Sequence, residues 1–483
     1  DKNTNVMSMS TINVNILIYL YHRQGTLSMR RSTKMEDVDT LEHMEIDDHQ
    51  TELHGNPITA VDDETINSSQ VDNTNGNTIL QSDVSEEYLS QYISLFVDKT
   101  LVELCNSSWS LSNKKAIGEL QPYLRGCKWS PDGTCCLSVV NNDGVHVQEL
   151  PRDLYTGNVS RERTIDILDS IIHTKEGGLV YDFCWYPGMN SNILESCCWL
   201  TTKQNAPVQM WDAFDGSLRC SYRGFNAVDE MEPALSVTFN SDGTRIIAGY
   251  KKALRTFDVE RPGREFVEHK TNSPASCFAT DRNLVAMGSW NTTITLYNIN
   301  EMGTYKSIGK MHGHSGGVTH MKFTPDGLKL VSGARKDNKL LIWDIRYYRR
   351  PINILSRVVD TNQRIYFDIS PCGKYLVSGG TDGIVKVWDE NAVSWKDGLD
   401  VTDFPLHTDC CNSISIHPLR PILATGSGQY HFVDHQAIFE DDIKTEPMEN
   451  ACDVNTKDFN TKYSSNCENS LVFWWIGDVE DNT

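Results

Sequence analysis

Seven times along the chain a short apolar strand ends in a tight turn: "CKWSPDGT" (127–134), "DFCWYPGM" (182–189), "SVTFNSDGT" (236–244), "SCFATDRN" (276–283), "HMKFTPDGL" (320–328), "YFDISPCGK" (366–374) and "SISIHPLRP" (413–421). Their central residues are Trp129, Trp185, Phe239, Phe278, Phe323, Ile369 and Ile416, spaced 56, 54, 39, 45, 46 and 47 apart. Each is followed by a second apolar strand and then a third. Four of the third strands end in an aromatic–Asp pair: Trp211-Asp212, Phe257-Asp258, Trp343-Asp344 and Trp388-Asp389. One such unit cannot bury its apolar faces alone, but copies stacked around an axis can. The strands are short, bounded by Gly, Asp and Pro, and no long helical period competes with them. The repeat predicts an all-β fold, a seven-bladed WD-repeat β-propeller.

The last repeat tests whether the ring closes. Its third strand, "SLVFWWIGD", arrives only after an acidic insertion at 430–468, and six residues follow Gly477. That is too few for a fourth strand, and an open ring would expose unpaired edges. An N-terminal strand, "LVELCNSSW" at 101–109, is therefore expected to close it. The expected organisation is an acidic tail over 1–88, the propeller over 89–477 and a polar tail over 478–483. Low apolar content predicts disorder in the acidic tail. Residues 1–34 read as a leader ahead of a natural start at Met35.

The net charge of −21 is unevenly spread. Residues 35–98 hold 16 acids and no Lys or Arg, whereas 99–433 hold 36 of each. The body is neutral, so local patches decide what it attracts. The longest apolar run, "INVNILIYLY" at 12–21, is too short to span a bilayer, and no signal-peptide cleavage site follows it. No membrane association is expected. The 14 cysteines are scattered without a CxxC, which suits reduced thiols in cytosol or nucleus. His431 and His435 lack a second Cys at ligand spacing, so no metal is expected. GxSxG, HExxH, Walker and GxGxxG patterns are absent. The reading is a non-enzyme without cofactor or small-molecule substrate.

Several residues have a structural assignment. In the fifth repeat His314, Ser332, Asp337 and Trp343 are placed for a hydrogen-bonded chain that holds a blade together. The sixth keeps Ser378, Asp382 and Trp388 but has no matching His. In both copies Asp stands six places before Trp, yet Ser to Asp takes five steps in the fifth and four in the sixth. Arg335 and Lys336 fill the longer turn.

A propeller sorts its loops by face. Loops joining second to third strands share one rim with the connections between blades. On that rim fall Lys203, Arg223, Tyr250, Lys251, Lys252, Trp290, Arg335, Lys336, Asn362, Gln363 and Arg364. Cations interleaved with amides and aromatics suit phosphates and unstacked bases. From charge alone, an ordinary solvated rim stands equally open. The opposite face carries "RPGR" (261–264) and "RYYRRP" (346–351). There "WDIR" places Arg346 in the WDxR pattern of substrate receptors that dock on cullin–RING ubiquitin ligases, which is the alternative function.

At "GARKDNKLLIWDIR", "TNQRIYFDIS", "YDFCWYPGM", "WDAFDGSLR", "RPGR", "CKWSPDGT" and "LVFWWIGD" the chain resembles the telomerase Cajal body protein family, over about 120–477. The resemblance implies an RNA-binding scaffold that recognises the Cajal-body box of small Cajal body RNAs, and of telomerase RNA where it exists. It further implies H/ACA ribonucleoprotein components, Cajal body proteins and a cytosolic chaperonin as partners. Nuclear Cajal bodies, with a cytoplasmic pool during folding, are the implied location. Arg335, Lys336 and Arg364 become the expected grip on RNA phosphates. The acidic tail lacks the Pro-rich character associated with the family.

Overall fold

Burial is deepest in the second strands and falls toward the outer ones, and this sorts the strands. Second strands such as Cys135–Val140 and Ile422–Ser427 are buried at every position, whereas the outer strand Tyr305–His312 is mostly exposed. The structure is a computed structural model describing residues 95–96, 101–109, 121–155, 159–176, 178–389, 401–431 and 468–480. The expected acidic tail and most of the acidic insertion lie outside the described residues. The described residues belong to one unit, Val84–Thr483. They form a seven-bladed β-propeller of antiparallel meanders. Blade one comprises Leu124–Trp129, Cys135–Val140, Gly144–Glu149 and Ser170–Thr174; blade five comprises Val318–Phe323, Lys329–Ala334, Lys339–Asp344 and Asn353–Ser356. No helix among the described residues is long and apolar enough to cross a membrane.

Blade seven takes its fourth strand from the other end of the chain. Val102–Ser108 pairs antiparallel with Ser470–Trp475, so the outer edge of that third strand is covered. Residues beyond Gly477, expected to be only a polar tail, include Val479–Glu480, which pairs parallel with Val159–Ser160. The ends of the insertion also belong to the body. His431 N donates to Gln121 Oε1 at 2.9 Å, and Glu468 accepts from Ser470 Oγ at 2.5 Å.

First strands stitch each blade to the next, which is what makes the ring continuous. Trp185 Nε1 donates to Lys128 O at 2.9 Å (blades one and two), and Val237 N to Asp182 Oδ2 at 3.1 Å (two and three). Ser236 Oγ donates to Ala275 O at 3.0 Å, and Ser276 Oγ to Val318 O at 2.5 Å. His320 Nε2 bonds Phe367 O at 3.1 Å, and Ile416 N donates to Asp368 Oδ2 at 2.8 Å. Trp129 N to Ser415 Oγ, at 3.1 Å, completes the circuit. All seven junctions are bridged near the axis, where water competes least for these groups.

Candidate nucleic-acid interface

Blade five holds the hydrogen-bonded chain its spacing predicts. Trp343 Nε1 donates to Ser332 Oγ at 2.8 Å; His314 Nε2 shares that oxygen at 2.8 Å; His314 Nδ1 meets Asp337 Oδ2 at 2.9 Å. Burial would raise the Asp337 carboxyl, but hydrogen bonds from His314 and Ser315 outweigh it and hold it below its ordinary value. Blade six departs from the expected Ser378–Asp382–Trp388 network. Trp388 and Ser378 are fully buried, but Asp382 sits on an exposed turn and caps Ile384 N. Arg357 fills the space left by the missing His, donating from Nη1 to Ser378 Oγ at 2.9 Å and to Ile365 O at 3.1 Å. Burial pulls its pKa down to about 9. Blade two substitutes Glu176 for the His: Thr201 Oγ1 donates to it at 3.0 Å and receives Trp211 Nε1 at 2.9 Å.

The longer turn of blade five has a local cause. Arg335 N donates to Gly317 O and Lys336 N to Thr361 O, both at 3.0 Å. The added residue lets one turn reach the preceding loop and the next blade together. Lys336 takes the strained positive φ of 47° and points into solvent. Gly316 is required below it, since a Cβ there would stand 1.9 Å from the Arg335 carbonyl oxygen.

On the same face the mouth of the central channel opens into a cavity of about 520 Å³. Trp290, Arg335, Asn362, Gln363 and Arg364 all line it, together with Tyr123, Arg125, Tyr181, Tyr366 and Tyr430. The Arg335 guanidinium lies 5.4 Å from the Trp290 ring centre, and its Nε has no hydrogen-bond partner. Trp290 itself is 46% exposed. Gln363 Nε2 donates to Gly428 O at 2.8 Å, tying the loop to blade seven. The tyrosines were missed by sequence reasoning. Their signal is a Tyr within one residue of the start of the first strand in blades one, two and six: Tyr123, Tyr181 and Tyr366.

Other rim candidates lie elsewhere. Lys251 and Lys252 are exposed on the blade-three turn, outside the cavity lining. Lys203 is ion-paired with buried Glu176, and Tyr250 is buried beneath Arg255. Arg223 does not join the rim cluster. Its N–H bonds Gly263 O at 2.7 Å, within the very "RPGR" loop assigned to the opposite face, because Tyr222 and Gly263 form a parallel bridge.

Arg364 also departs from expectation. It is set into the channel wall rather than raised beside Lys336. Nη1 donates to Asp182 Oδ1 at 2.7 Å and Nη2 to Ser276 O at 3.1 Å, so it joins blades two and four to the blade-six connection. Burial works against its charge, but Asp182 outweighs it and holds the guanidinium charged. In the cavity wall Arg125 donates to Val180 O; outside the lining, Lys128 donates to Phe183 O at 2.6 Å and Lys322 pairs with Asp368. Of these channel groups, four cations (Arg125, Lys128, Lys322, Arg364) face two carboxylates (Asp182, Asp368). Burial, and then the nearby cations, push His320 well below its ordinary value. A positive, low-dielectric channel mouth focuses field on anions. On the opposite face Arg346 is exposed and held bidentately by Asp344, at 3.0 and 2.7 Å.

The profile "WD40: WD domain, G-beta repeat" matches residues 305–344 and 362–389, which hold the last strand of blade four, the first three of blade five and the first three of blade six. The chain is 41% identical over 415 residues to the telomerase Cajal body protein 1 homolog of Drosophila melanogaster, covering 84% of this chain and 74% of that protein. It belongs to the telomerase Cajal body protein 1 family. The mouse member is 36% identical over 391 residues, covering 78% of this chain and 69% of its own. The human member is 35% identical over 394 residues, covering 79% and 68%. Membership thus rests on most of the chain, well beyond the two repeats that the general WD profile matches.

Proposed function

We propose that the protein is an RNA-binding scaffold, without catalytic activity, that recognises the Cajal-body box of small Cajal body RNAs. Telomerase RNA carrying the same box is a further ligand where it exists. The observation that carries this reading is the channel-mouth cavity, where Arg335, without a carboxylate partner among the described residues, lies against half-exposed Trp290. Its volume is within the roughly 300–1,000 Å³ of small-ligand sites, which suits an unstacked base. In this reading Trp290 and the tyrosines stack bases, Asn362 and Gln363 read their edges, and Arg125 and Arg335 meet phosphates. Lys336, Lys251 and Lys252 attract the strand from the rim. The relatives' names associate them with telomerase and Cajal bodies, which supports delivery of the bound ribonucleoprotein to nuclear Cajal bodies. H/ACA components, Cajal body proteins and a cytosolic chaperonin, engaged during a cytoplasmic folding stage, complete the proposed partners.

Docking on a cullin–RING ligase through Arg346 is the competing reading. It would require an adaptor to displace the two bonds that Arg346 donates to Asp344. Crosslinking the protein to RNA in cells and sequencing the bound species separates the two. Enrichment of box-containing small nuclear RNAs supports the scaffold; messenger-like background alone, with adaptor co-purified in an Arg346-dependent way, overturns it.

A further inference from the structure

Blade one carries a cluster that the RNA reading leaves without a role. Its third and fourth strands place His146 directly opposite His173, and the rings stack at 4.2 Å. The preceding turn, with Asn142 at φ 58° and Gly144 at φ 117°, folds Asp143 back over the pair. Gly144 is needed for that turn, because a Cβ would stand 2.2 Å from Thr174 O. Asp143 Oδ2 lies 3.0 Å from His146 Nε2, and Oδ1 lies 3.3 Å from His173 Nε2. The three candidate ligand atoms fall within 4.8 Å of one another.

We infer that Asp143, His146 and His173 form a binding site for a divalent transition-metal ion of the zinc class. Tetrahedral bonds of about 2.0–2.1 Å separate neighbouring ligand atoms by about 3.3 Å, close to both carboxylate–imidazole distances. Two imidazoles and one carboxylate match the donor set of an open zinc site, with a fourth position left to water. A supporting layer stands behind the buried ligand. His146 Nδ1 bonds Ser170 Oγ at 3.1 Å, Ser170 receives Gln148 Nε2 at 3.3 Å, and Gln148 is anchored on fully buried Ser138 at 3.0 Å. This chain orients the ring so that Nε2 faces Asp143.

Comparison with blade five explains why the carboxylate is available. Asp337 holds the same turn position, five residues after the strand Ser, and is occupied by His314 and Ser315. In blade one the equivalent Ser138 bonds Gln148, and Asp143 turns outward with 35% of its side chain exposed. His173 is 30% exposed. Its Nε2 lies 2.9 Å from Asp143 O, so binding requires the ring to leave that contact and tilt out of the stack until both Nε2 lone pairs converge on one ion, for which the exposed side of the cluster is an entry path.

The test uses the full chain, treated with chelator and titrated with Co²⁺ as a spectroscopic probe and with Zn²⁺ by calorimetry. One equivalent should bind with tetrahedral Co²⁺ absorption lacking thiolate charge transfer. Zn²⁺ should then raise the melting temperature, since it binds the folded form. His173→Asn and Asp143→Asn, both at partly exposed positions and expected to fold, should each weaken binding at least tenfold and abolish the Zn²⁺ stabilisation. A His312→Asn control, on the outer strand Tyr305–His312 and outside the cluster, should bind as the parent does. No saturable binding, or binding unchanged in both ligand variants, reduces the cluster to a hydrogen-bonded triad and overturns the inference. Because its readouts involve no RNA, its failure is distinguishable from failure of the RNA reading.

Discussion

Neutralising either member of the Arg364–Asp182 pair should loosen the ring before it touches ligand binding. The two residues stand 182 positions apart in sequence, with side chains 17% and 6% exposed. Removing one partner of such a buried pair leaves the other charge uncompensated, which costs about 3–5 kcal/mol. Unfolding 320 described residues at about 2.1 cal/mol/K each gives an entropy of about 0.67 kcal/mol/K. Asp182→Asn and Arg364→Gln should therefore each lower the melting temperature by roughly 4–7 °C. The double variant should lose less than the sum, because no unpaired charge remains. Thermal melts of the parent, both single variants and the double variant decide the matter. If Arg364→Gln melts with the parent and yet loses RNA affinity, Arg364 is a ligand contact and the clamp argument is wrong.

Three further outcomes follow from the same contacts. Trp343→Ala should cost about 3–5 kcal/mol and remove one of the hydrogen bonds at Ser332 Oγ, so any loss of RNA binding should track the loss of folded protein measured by circular dichroism. Glu468 gives a pH signature: burial would raise its carboxyl, but hydrogen bonds from His407, Ser470 and Thr408 outweigh it and hold it down at about 2, against 4.5 for the free group. A depressed carboxylate stabilises the fold above its unfolded value and loses that contribution as pH falls toward its folded value. Glu468→Gln should thus be less stable near neutrality, with the gap to the parent closing between about 4.5 and 2 when melts are followed against pH. Trp290→Ala should weaken binding of a single-stranded loop by about 1–3 kcal/mol, read by fluorescence anisotropy, without shifting the melting temperature.

The blades were readable because each repeats a local rule, an apolar strand followed by an Asp, Pro or Gly turn, and seven copies leave one architecture. The blade-five relay was readable for the same reason, since His314, Ser332, Asp337 and Trp343 keep fixed offsets. Arg364 was not. Its burial depends on Asp182, which only the closed ring brings near, and no local pattern distinguishes a paired cation from a free one. Arg357 escaped notice because it replaces a His with a different residue at a different offset, as Glu176 does in blade two. Tyr123, Tyr181 and Tyr430 converge on the cavity only through the ring, although a Tyr near the start of three first strands was a usable sign. Arg223 was misplaced because strand order alone assigns its face, and the long connection after Tyr222 runs against the 259–266 loop instead.

The central claim is that the channel-mouth cations and aromatics hold single-stranded RNA. Its most direct measurement is a salt titration of binding to a box-containing RNA loop and to a box-mutated control, for the parent and for Arg335→Gln with Lys336→Gln. Each single-strand phosphate contact contributes about −0.7 to the slope of log affinity against log salt. The double variant should bind more weakly, with the slope flattened by about one to one and a half units, while melting with the parent and still preferring the box. Parent protein that does not distinguish the two RNAs, or a variant that matches it in affinity and slope, would make the pair a solvated turn and contradict the account.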